Sequence, residues 1–377
     1  MPRDFLVSPV RGRRALDQFV QLPWQIYGDH SAWVPPLLFD LKTLLSVRKH
    51  PFHKHADVEY FLAHRDGRTV GRIAAIINHA HRDFHNEPVG FFGFFECVDD
   101  ESLARTLFSA AETWARGRGV RRLRGPMSFS TNEQCGLLVD GFETSPSIMM
   151  PHNHRYYARL IENSGYKQTK DMYAYALDLE KIAIPERLTK ATNRLQAKQA
   201  IKIRNINKKR FEDEVRLLHS IYHSAWETNW GFVPMTNAEV DLLARTLRLV
   251  ADPRLCLIAE TDHKPVAFAI ALPDYNQVLK RMNGRLFPFG VAKLLWHGRK
   301  INALRVLLLG AKPEARVRGV EAMLYASLWE EALRLGYKFA ECSWILEDNW
   351  AMRRGMERMN ATIYKTYRVF ERSLGDS

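Results

Sequence analysis

The 377-residue sequence predicts an α/β (α+β) fold made of two similar units in tandem, each a mixed, strongly twisted sheet flanked by helices. Three observations indicate this fold: short apolar runs typical of buried strands, helical repeats of apolar residues between them, and a second half that repeats the order of the first. Apolar residues make up 46% of the chain, enough for packed cores. We expect an N-terminal domain at 1–180, a basic connector at 181–209 and a C-terminal domain at 210–377.

The second half contains the clearest run of elements. The apolar stretch 304–309 predicts a buried strand, and the basic turn 312–319 leads from it into a helix. That helix carries apolar residues at helical spacing and is predicted to end at Gly336. A strand at 338–344, a helix opened by Asn349 and a hairpin-like tail rich in Tyr and Arg follow. The apolar stripe of the first helix consists of Val320, Met323, Leu324, Leu328, Ala332 and Leu335.

The first half shows the same order of elements. Its predicted strands and helices lie at 60–64, 69–77, 89–97, 99–116 (helix), 120–124 and 153–163 (helix). The hairpin of the first two strands matches a hairpin in the second half, at 255–260 and 265–272. One difference concerns the turn after the third strand, which is acidic (Asp99, Asp100, Glu101) where the second half is basic. We therefore expect only the second half to bind an anion at this turn.

The basic turn of the second half is typical of an anion-binding site. A helix N-terminus presents unpaired N–H groups and the positive end of the helix dipole, and Arg316 and Arg318 add charge.

This turn and the elements around it resemble the GNAT acyltransferase superfamily. The family turn runs Gln/Arg-x-x-Gly-x-Gly/Ala and holds the pyrophosphate of coenzyme A, while the next strand splays away to admit the acyl thioester. The resemblance implies acyl-CoA as a cosubstrate, with no permanently bound cofactor and no metal. The CoA contacts that it implies are Leu308, Leu309, Gly310, Arg316, Val317, Arg318, Gly319, Val320 and Asn349.

The sequence departs from the family pattern at two positions. Glu321 occupies the sixth position of the turn, where the family has a small residue, and a carboxylate there repels a pyrophosphate unless it points outward. The family often has a tyrosine as general acid seven residues after an Asn, and here that register, counted from Asn349, gives Met356. Water, Tyr325 or Tyr364 are the alternative proton donors for the leaving thiolate.

The first half supplies further candidates. Glu96 ends a very apolar strand, where burial raises a carboxyl pKa, and many GNAT enzymes place a base carboxylate on that strand. The polar loop 125–150 contains Asn132 and Glu133, which we take as acceptor contacts. Covalent catalysis by Cys135, with His152 or His154 as base, is a weaker alternative. The histidines at 50–55 and 79–85 lack the partner spacing of a zinc site.

Charge and cysteine content restrict the partners and the compartment. A formal net charge of +13 favours a polyanion, which could be CoA, an anionic membrane surface or a nucleic acid such as tRNA. Four scattered cysteines without metal spacing indicate reduced thiols and a cytoplasmic protein. No apolar run is long enough for a membrane span, so we expect at most a peripheral position on the inner face of the membrane.

The insertion 275–302 mixes aromatic, aliphatic and basic residues and contains no acid. This composition is typical of an interfacial membrane element or of a lid over an apolar ligand; a core-packed helical hairpin with a basic outer face is the alternative. The stretch 225–235 adds aromatic surface. We therefore predict that Trp230, Phe232 and Trp344 contact the acceptor, as do Asn132 and Glu133 of the polar loop.

Several stretches are similar to a narrower family of tandem GNAT proteins in Gram-negative bacteria, related to bacterial ceramide synthases. Examples are HPFHKHADVEYFLA (50–63), FSTNEQCGLLVDGF (129–142), NWGFVPMT (229–236) and CSWILEDNWAM (342–352). The resemblance implies an N-acyltransferase that acylates an amine, such as a sphingoid long-chain base, by direct attack. Two alternatives stay open: a Fem-like transferase that uses aminoacyl-tRNA, and a non-catalytic membrane- or nucleic-acid-binding protein on a GNAT fold.

Overall fold

The computed structural model describes residues 5–28, 30–197, 201–316 and 319–375. The chain divides into two compact units. The first consists of Met1–Met172, Val278–Leu294 and Lys365–Ser377, and the second of Tyr173–Gln277 and Leu295–Tyr364.

The elements up to β9 belong to the first unit, apart from the second half of β9 itself. They are β1 (Leu6–Pro9), α1 (Gly12–Tyr27), α2 (Leu38–Leu44), β2 (Ala56–Arg65), β3 (Arg68–Asn78), α3 (His79–His85), β4 (Val89–Cys97), α4 (Glu101–Arg116), β5 (Arg122–Gly125), β6 (Met127–Ser128), β7 (Gln134–Cys135), β8 (Leu137–Asp140), α5 (Tyr157–Asn163) and β9 (Lys167–Asp178).

The remaining elements lead through the second unit and back to the first. They are α6 (Glu186–Ala197), β10 (Lys202–Asn205), α7 (Phe211–Trp226), α8 (Asn237–Val250), β11 (Cys256–Thr261), β12 (Lys264–Pro273), α9 (Asn276–Leu279), α10 (Gly290–Gly298), β13 (Ala303–Ala311), α11 (Pro313–Arg316), α12 (Val320–Arg334), β14 (Phe339–Leu346), α13 (Trp350–Arg358) and β15 (Thr362–Ser373).

In the first unit, the sheet runs in the order β1, β2, β3, β4, β5, followed by the part of β15 that starts at Lys365 and by the first half of β9. The β2–β3 hairpin, predicted from the strands at 60–64 and 69–77, turns at Asp66 and Gly67, and both residues have positive φ. β4 and β5 are parallel, joined by α4. α4 begins at its cap Asp100, whose carboxylate accepts the Leu103 N–H, and packs its apolar face on the sheet.

In the second unit, the sheet runs in the order β9 (second half), β14, β13, β12, β11, β10. β11, β12 and β13 are antiparallel neighbours, and β13 and β14 are parallel, joined by α12. The predicted apolar stripe of α12 lies in the core of this unit, with Leu335 packed at its margin. Both units therefore place two antiparallel strands before a parallel pair, with a helix that connects the pair, and this order was predicted.

Three segments differ from the expectation. The basic stretch predicted as a connector, 181–209, contains the helix α6 and the edge strand β10, which pairs with β11 and so belongs to the second sheet. The tail predicted as a hairpin is the single long strand β15. The N-terminal β1, α1 and α2 and the pair α7–α8 have no counterpart in the prediction, although the buried residues of α7 recur at helical spacing (Phe211, Val215, Leu218, Ile221 and Ala225).

Most of the predicted insertion, Val278–Leu294, belongs to the first unit and not to the C-terminal domain. Local contacts explain this assignment. The Trp24 Nε1–H donates to Asn283 Oδ1 at 2.8 Å, and the Leu38 N–H donates to the Gly284 carbonyl at 3.0 Å. A Cβ on Gly284 would lie 2.5 Å from the Trp24 ring, so this approach requires a residue without a side chain.

No helix in the described part of the chain is both long and apolar enough to cross a membrane. All four cysteines are buried and carry free thiols.

A buried ion pair joins β13 and β14. Arg305 and Glu341 are register partners in the parallel ladder and are 4% and 0% exposed. Arg305 Nε lies 3.6 Å from Glu341 Oε1 and donates to Ser343 Oγ at 2.9 Å, while the Ser343 hydroxyl donates to Glu341 at 2.5 Å. The Tyr364 hydroxyl donates to the second carboxylate oxygen. The cluster thus satisfies Glu341 within the sheet.

We predict that Glu341→Gln lowers the free energy of unfolding by about 3–5 kcal/mol, because it leaves the Arg305 charge buried without its counterion. Urea denaturation followed by circular dichroism measures this loss. The matched control is Glu330→Gln on the exposed face of α12, which should change stability by less than about 0.5 kcal/mol. A loss below about 1 kcal/mol for Glu341→Gln would contradict the role of the pair.

Candidate active site

β13 and β14 separate part of the way along their length. Their parallel ladder runs from Ala303 opposite Phe339 to Val306 opposite Cys342, whereas β13 continues to Ala311 and β14 to Leu346. On its other edge, β13 stays paired with β12, with a bulge where Leu308 pairs with Ile270 and Val306 with Ala271. Bulges of this kind are common beside active sites because they redirect the backbone. The separated ends form a wedge that opens between the two strands.

A cleft of about 970 Å³ lies at this wedge. Its size falls in the range of ligand sites, roughly 300–1,000 Å³. The lining combines apolar side chains with a few polar groups from β13, β14, α12, α13 and the segments around α6 and α7. The lining includes Leu188, Trp226, Trp230, Leu309, Gly310, Glu321, Tyr325, Asn349, Met352, Arg358 and Met359.

The N-terminus of α12 opens beside this cleft. Gly319 is its N-cap, with φ at 73° in the left-handed region that favours glycine, and it provides no side-chain cap for the first-turn N–H groups. Val320 is fully buried, so only its backbone can serve a ligand. Val317 and Arg318 lie outside the described residues, as does the side chain of Arg316, and their predicted CoA contacts stay predictions.

Glu321 faces the site, since it lies in the first turn of α12 and lines the cleft. Its carboxylate interacts favourably with the helix dipole but competes with any anion bound at the same helix end. The sequence identified Glu321 as the departure from the family turn, and its position in the cleft makes this departure relevant to ligand binding.

Tyr325 lines the cleft one turn further along α12. Its hydroxyl donates to the Met352 sulfur at 2.7 Å, and burial raises the pKa of Tyr325 well above its usual value. The hydroxyl is therefore protonated at neutral pH and already directed at a sulfur acceptor. Met356, at the position of the usual acid of the family, is fully buried in the core.

The indole of Trp226 covers the backbone of Gly310. A Cβ on Gly310 would lie 2.1 Å from Trp226 Cζ3, so no other residue fits without displacing the ring. Trp226, at the end of α7, also packs on Tyr222 and Phe268 at centroid distances of 4.8 and 5.9 Å. The aromatic stretch 225–235 pointed to this region, but the sequence analysis selected Trp230 and Phe232 instead of Trp226.

Some of the other predicted residues of the second unit line the cleft, and others do not. Trp230 and Leu309 line the cleft, whereas Phe232 is buried and packs on Tyr222 at 5.6 Å. Leu308 is half-buried in β13. Asn349 lines the cleft, but its side chain caps α13 by accepting the Met352 N–H at 3.1 Å.

Two further predicted site residues are aromatic, namely the acceptor contact Trp344 in β14 and the proton donor Tyr364 in β15. Trp344 is half-buried in β14, and its indole Nε1 is buried without a hydrogen-bond partner. The hydroxyl of Tyr364 is engaged by Glu341, as described above. Of the two predicted tyrosine acids, Tyr325 is the one whose side chain lines the cleft.

The first unit repeats the strand separation, but the gap is filled. The β4–β5 ladder ends at Phe91 opposite Arg124, while β4 continues to Cys97. Beyond that point β6 packs across β4: a Cβ on Gly93 would lie 2.1 Å from the Met127 carbonyl oxygen, and the Phe94 N–H donates to Ser128 Oγ at 3.3 Å. The backbone of β6 thus lies where the second unit has its wedge.

Glu96 lies in β4 within a buried polar cluster. Its carboxylate is 3.5 Å from Arg72 Nη2 and accepts the Tyr157 hydroxyl at 2.7 Å. Burial raises the pKa of Glu96, which the Arg72 charge opposes. The Arg72 guanidinium also donates to the Phe19 carbonyl at 2.5 Å. These contacts hold the carboxylate in one orientation, and its predicted role as base stays a prediction.

The remaining candidates of the first unit form local contacts. Glu133 accepts the Ser130 hydroxyl at 2.7 Å, and the Asn132 N–H donates to the same Ser130 oxygen at 3.1 Å, so both belong to one tight turn. Burial raises the pKa of the Cys135 thiol far above its usual value, which keeps it protonated and unreactive. Burial next to His30 lowers the pKa of His152 to about 3.

Within the described ranges, no three His, Cys, Asp or Glu side chains are grouped so that they could hold a metal ion.

Two solved structures match the chain along its whole length. The tandem GNAT protein from the clavulanic acid biosynthesis pathway aligns with a TM-score of 0.58 and 12% identity, covering 99% of this chain and 100% of that one. A GCN5-related N-acetyltransferase from Sphaerobacter thermophilus aligns with a TM-score of 0.54 and 13% identity, covering 100% and 98%. At these identities the likeness concerns the fold, which is that of a tandem GNAT protein.

Sequence comparison identifies the family. The chain is 36% identical over 375 residues to Protein YghO of Escherichia coli (strain K12), covering 98% of this chain and 95% of that protein. It is also 36% identical over 378 residues to the bacterial ceramide synthase of Caulobacter vibrioides (strain NA1000 / CB15N), covering 98% of each. The chain belongs to the family of these two proteins. No family model matches it.

Fold and family together define a GNAT-type N-acyltransferase. The predicted fold class, the tandem arrangement, the resemblance to the family of bacterial ceramide synthases and the enzyme class are thereby confirmed.

We predict that Gly310→Ala displaces Trp226 from β13, because the new methyl group collides with the indole. The expected results are a loss of about 1–3 kcal/mol in unfolding free energy and a roughly tenfold weaker affinity for a ligand in the cleft, about 1.4 kcal/mol. Calorimetric titration with an acyl-CoA measures the second effect. Gly298→Ala is the control, since its Cβ meets no atom within 4 Å. Equal affinities for the two variants would show that Trp226 does not shape the site.

Proposed function

We propose that this N-acyltransferase takes its acyl group from acyl-CoA, a long-chain one in particular, and transfers it to the amine of a sphingoid long-chain base. The observation that carries the proposal is the separation of β13 from β14 after Val306 and Cys342, which leads into the cleft beside the start of α12.

The charge distribution at the start of α12 supports a donor site there. The uncapped first turn of α12 is suited to the pyrophosphate, together with the predicted contacts of Arg316 and Arg318. The pantetheine arm would then enter the wedge, where the backbone of β13 beyond its bulge can form hydrogen bonds to it. In the first unit the corresponding gap is filled by β6, which favours the second unit as the donor site.

Two observations support an apolar amine acceptor. The relative that is 36% identical over nearly the whole chain carries the name bacterial ceramide synthase. The cleft also has apolar and aromatic residues along part of its wall, Trp226, Trp230, Leu188 and Met359 among them, although the charged residues Glu321, Asp348, Glu357 and Arg358 line it as well. The apolar part is suited to an alkyl chain, because burial of that chain removes apolar area from water.

The reaction is a direct aminolysis. The nitrogen lone pair of the uncharged amine attacks the thioester carbonyl carbon, a C–N bond forms and the C–S bond breaks. Backbone N–H groups near Leu308–Gly310 would stabilise the oxyanion of the tetrahedral intermediate. The amine loses one proton to a base, and the CoA thiolate gains one. The products are an amide and the CoA thiol.

Tyr325 is the proposed hydrogen-bond donor to the leaving sulfur. Its hydroxyl already donates to a thioether sulfur, that of Met352, and a thiolate is a stronger acceptor. The raised pKa of Tyr325 makes it a weaker acid than a free thiol, whose pKa is about 8.5. Stabilisation of the developing thiolate by a hydrogen bond is therefore favoured over complete proton transfer.

We predict that calorimetric titration of the purified protein gives tighter binding of palmitoyl-CoA than of acetyl-CoA or CoA, because the apolar wall adds alkyl burial to a shared headgroup site. Arg316→Ala combined with Arg318→Ala should weaken all three roughly tenfold or more by removing charge from the pyrophosphate. Arg334→Ala, which removes an exposed arginine from the other end of α12, is the control.

Absence of binding by all three thioester-related ligands would overturn the acyl-CoA donor. Glu321 in the cleft is the observation that favours such an outcome, since its charge opposes a pyrophosphate at the helix start. The aminoacyl-tRNA alternative would then be tested by titration with charged tRNA over a range of salt concentrations, where a steep decline with salt is expected.

We predict that Tyr325→Phe lowers kcat about 100-fold, the lower end of the usual effect of removing one hydrogen-bond donor to a developing anion, and leaves KM for acyl-CoA nearly unchanged. The assay follows amide formation from palmitoyl-CoA and a long-chain base by mass spectrometry. Tyr364→Phe is the matched comparison: it removes the hydroxyl bound to Glu341 and should reduce stability more than kcat. The reverse pattern would assign the donor role to Tyr364.

A further inference from the structure

The segment 285–300 exposes large apolar side chains in a way that is costly in water. Phe287, Phe289, Leu295 and Trp296 are 74%, 72%, 71% and 72% exposed. A single exposed apolar residue is common, but four large ones within ten residues form a patch. We call these residues, from Arg285 to Lys300, the α10 segment.

The stretch just before the patch, residues 278–284, is fixed within the first unit. Val278 and Met282, just before the α10 segment, are buried at 1% and 5% exposure. The hydrogen bond from Trp24 to Asn283 and that from Leu38 to Gly284 attach the same stretch to the first unit. Phe287 and Phe289, which follow within the same unit, therefore project from an anchored position.

Helix α10 turns its apolar side to solvent. Val291 and Leu295, four residues apart, share one face of the helix, Trp296 lies about 100° further round, and all three are exposed. Leu294, on the side away from Trp296, is half-buried. Since a surface helix normally buries its apolar side, this orientation indicates a partner medium that accepts alkyl and aromatic groups.

The charged residues within and beside the α10 segment have one sign. They are the exposed Lys280, Arg281, Arg285, Lys293, Arg299 and Lys300, and the sequence has no Asp or Glu from 275 to 313. The partner should therefore be anionic as well as apolar. Nucleic acids satisfy the charge but offer no place for exposed Leu and Val side chains, whereas phospholipids satisfy both requirements.

We propose that the α10 segment is a membrane-docking element that inserts Phe287, Phe289, Leu295 and Trp296 into the interface of an anionic phospholipid bilayer, with the surrounding Lys and Arg side chains at the headgroups. The inference is independent of the proposed acyl transfer, since vesicle binding is measured without substrates.

Flotation with phospholipid vesicles tests the proposal. The wild-type protein should float with vesicles of phosphatidylcholine mixed with phosphatidylglycerol, and much less with phosphatidylcholine alone. The combined variant Phe287→Ser, Phe289→Ser, Leu295→Ser, Trp296→Ser should bind the anionic vesicles roughly tenfold or more weakly. The variant Lys293→Glu with Lys300→Glu should lose the preference for anionic lipid, and added salt should weaken wild-type binding.

A matched control separates this patch from general hydrophobicity. Phe39→Ser with Leu249→Ser removes side chains that are 67% and 83% exposed elsewhere, and vesicle binding should not change. Circular dichroism and thermal unfolding check that each variant is folded. All substituted side chains are exposed, so misfolding is not expected.

A second measurement reports insertion directly. Because the four native cysteines are buried, Phe289→Cys introduces a single reactive thiol for an environment-sensitive dye. Its emission should shift to the blue and intensify with anionic vesicles. Each of three results would overturn the proposal. The serine variant could bind anionic vesicles as well as the wild type does, the dye spectrum could stay unchanged, or the protein could bind tRNA but not vesicles.

Discussion

The separation of β13 from β14 is the constraint on which the candidate site depends. Up to Val306 and Cys342 the two strands are joined by the parallel ladder, and the buried pair of Arg305 and Glu341 reinforces this closed part. Past that point the bulge in β13 and the covering indole of Trp226 keep the strand on its β12 side. A parallel pair that is fixed at one end and open at the other gives a ligand access to main-chain groups without disrupting the sheet.

Both units contain a parallel strand pair that separates past its ladder, but the gap between the strands is filled in the first unit and open in the second. Each has a glycine on the strand past the end of the parallel ladder, Gly93 in β4 and Gly310 in β13, and each glycine is covered at close range. In the first unit the cover is the backbone of β6, which fills the gap. In the second it is one side chain, and a cleft of about 970 Å³ remains. The gap of the first unit is therefore closed, whereas that of the second unit stays open.

Electrostatics acts at two scales in this chain. The net charge of +13 attracts anionic ligands and surfaces in general, whereas the first turn of α12 combines an uncapped helix start with the carboxylate of Glu321. A bound pyrophosphate would have to share the helix end with this carboxylate. Glu321 is therefore a residue that can tune donor affinity, since its charge opposes the helix dipole's effect on any anion.

The sequence alone determined the order of strands and helices around the parallel pairs, because apolar runs, helical repeats and glycine stops are local signals. Val89–Cys97 was predicted to the residue, and the stripe of α12 is buried as expected. The family resemblance also identified the enzyme class from motifs such as Arg316–Val320. It could not identify Trp226 as the residue that covers Gly310, because that contact joins segments far apart in sequence.

Only the tertiary structure decided how the candidate side chains are used. It directed the Tyr325 hydroxyl to Met352 in the cleft, engaged Tyr364 with Glu341, and made Asn349 a helix cap. It also filled the first gap with β6 and turned the apolar side of α10 to solvent. The physical reason is the same in each case: residue type and spacing specify what a side chain can do, but its partners depend on long-range packing, which one-dimensional patterns do not contain.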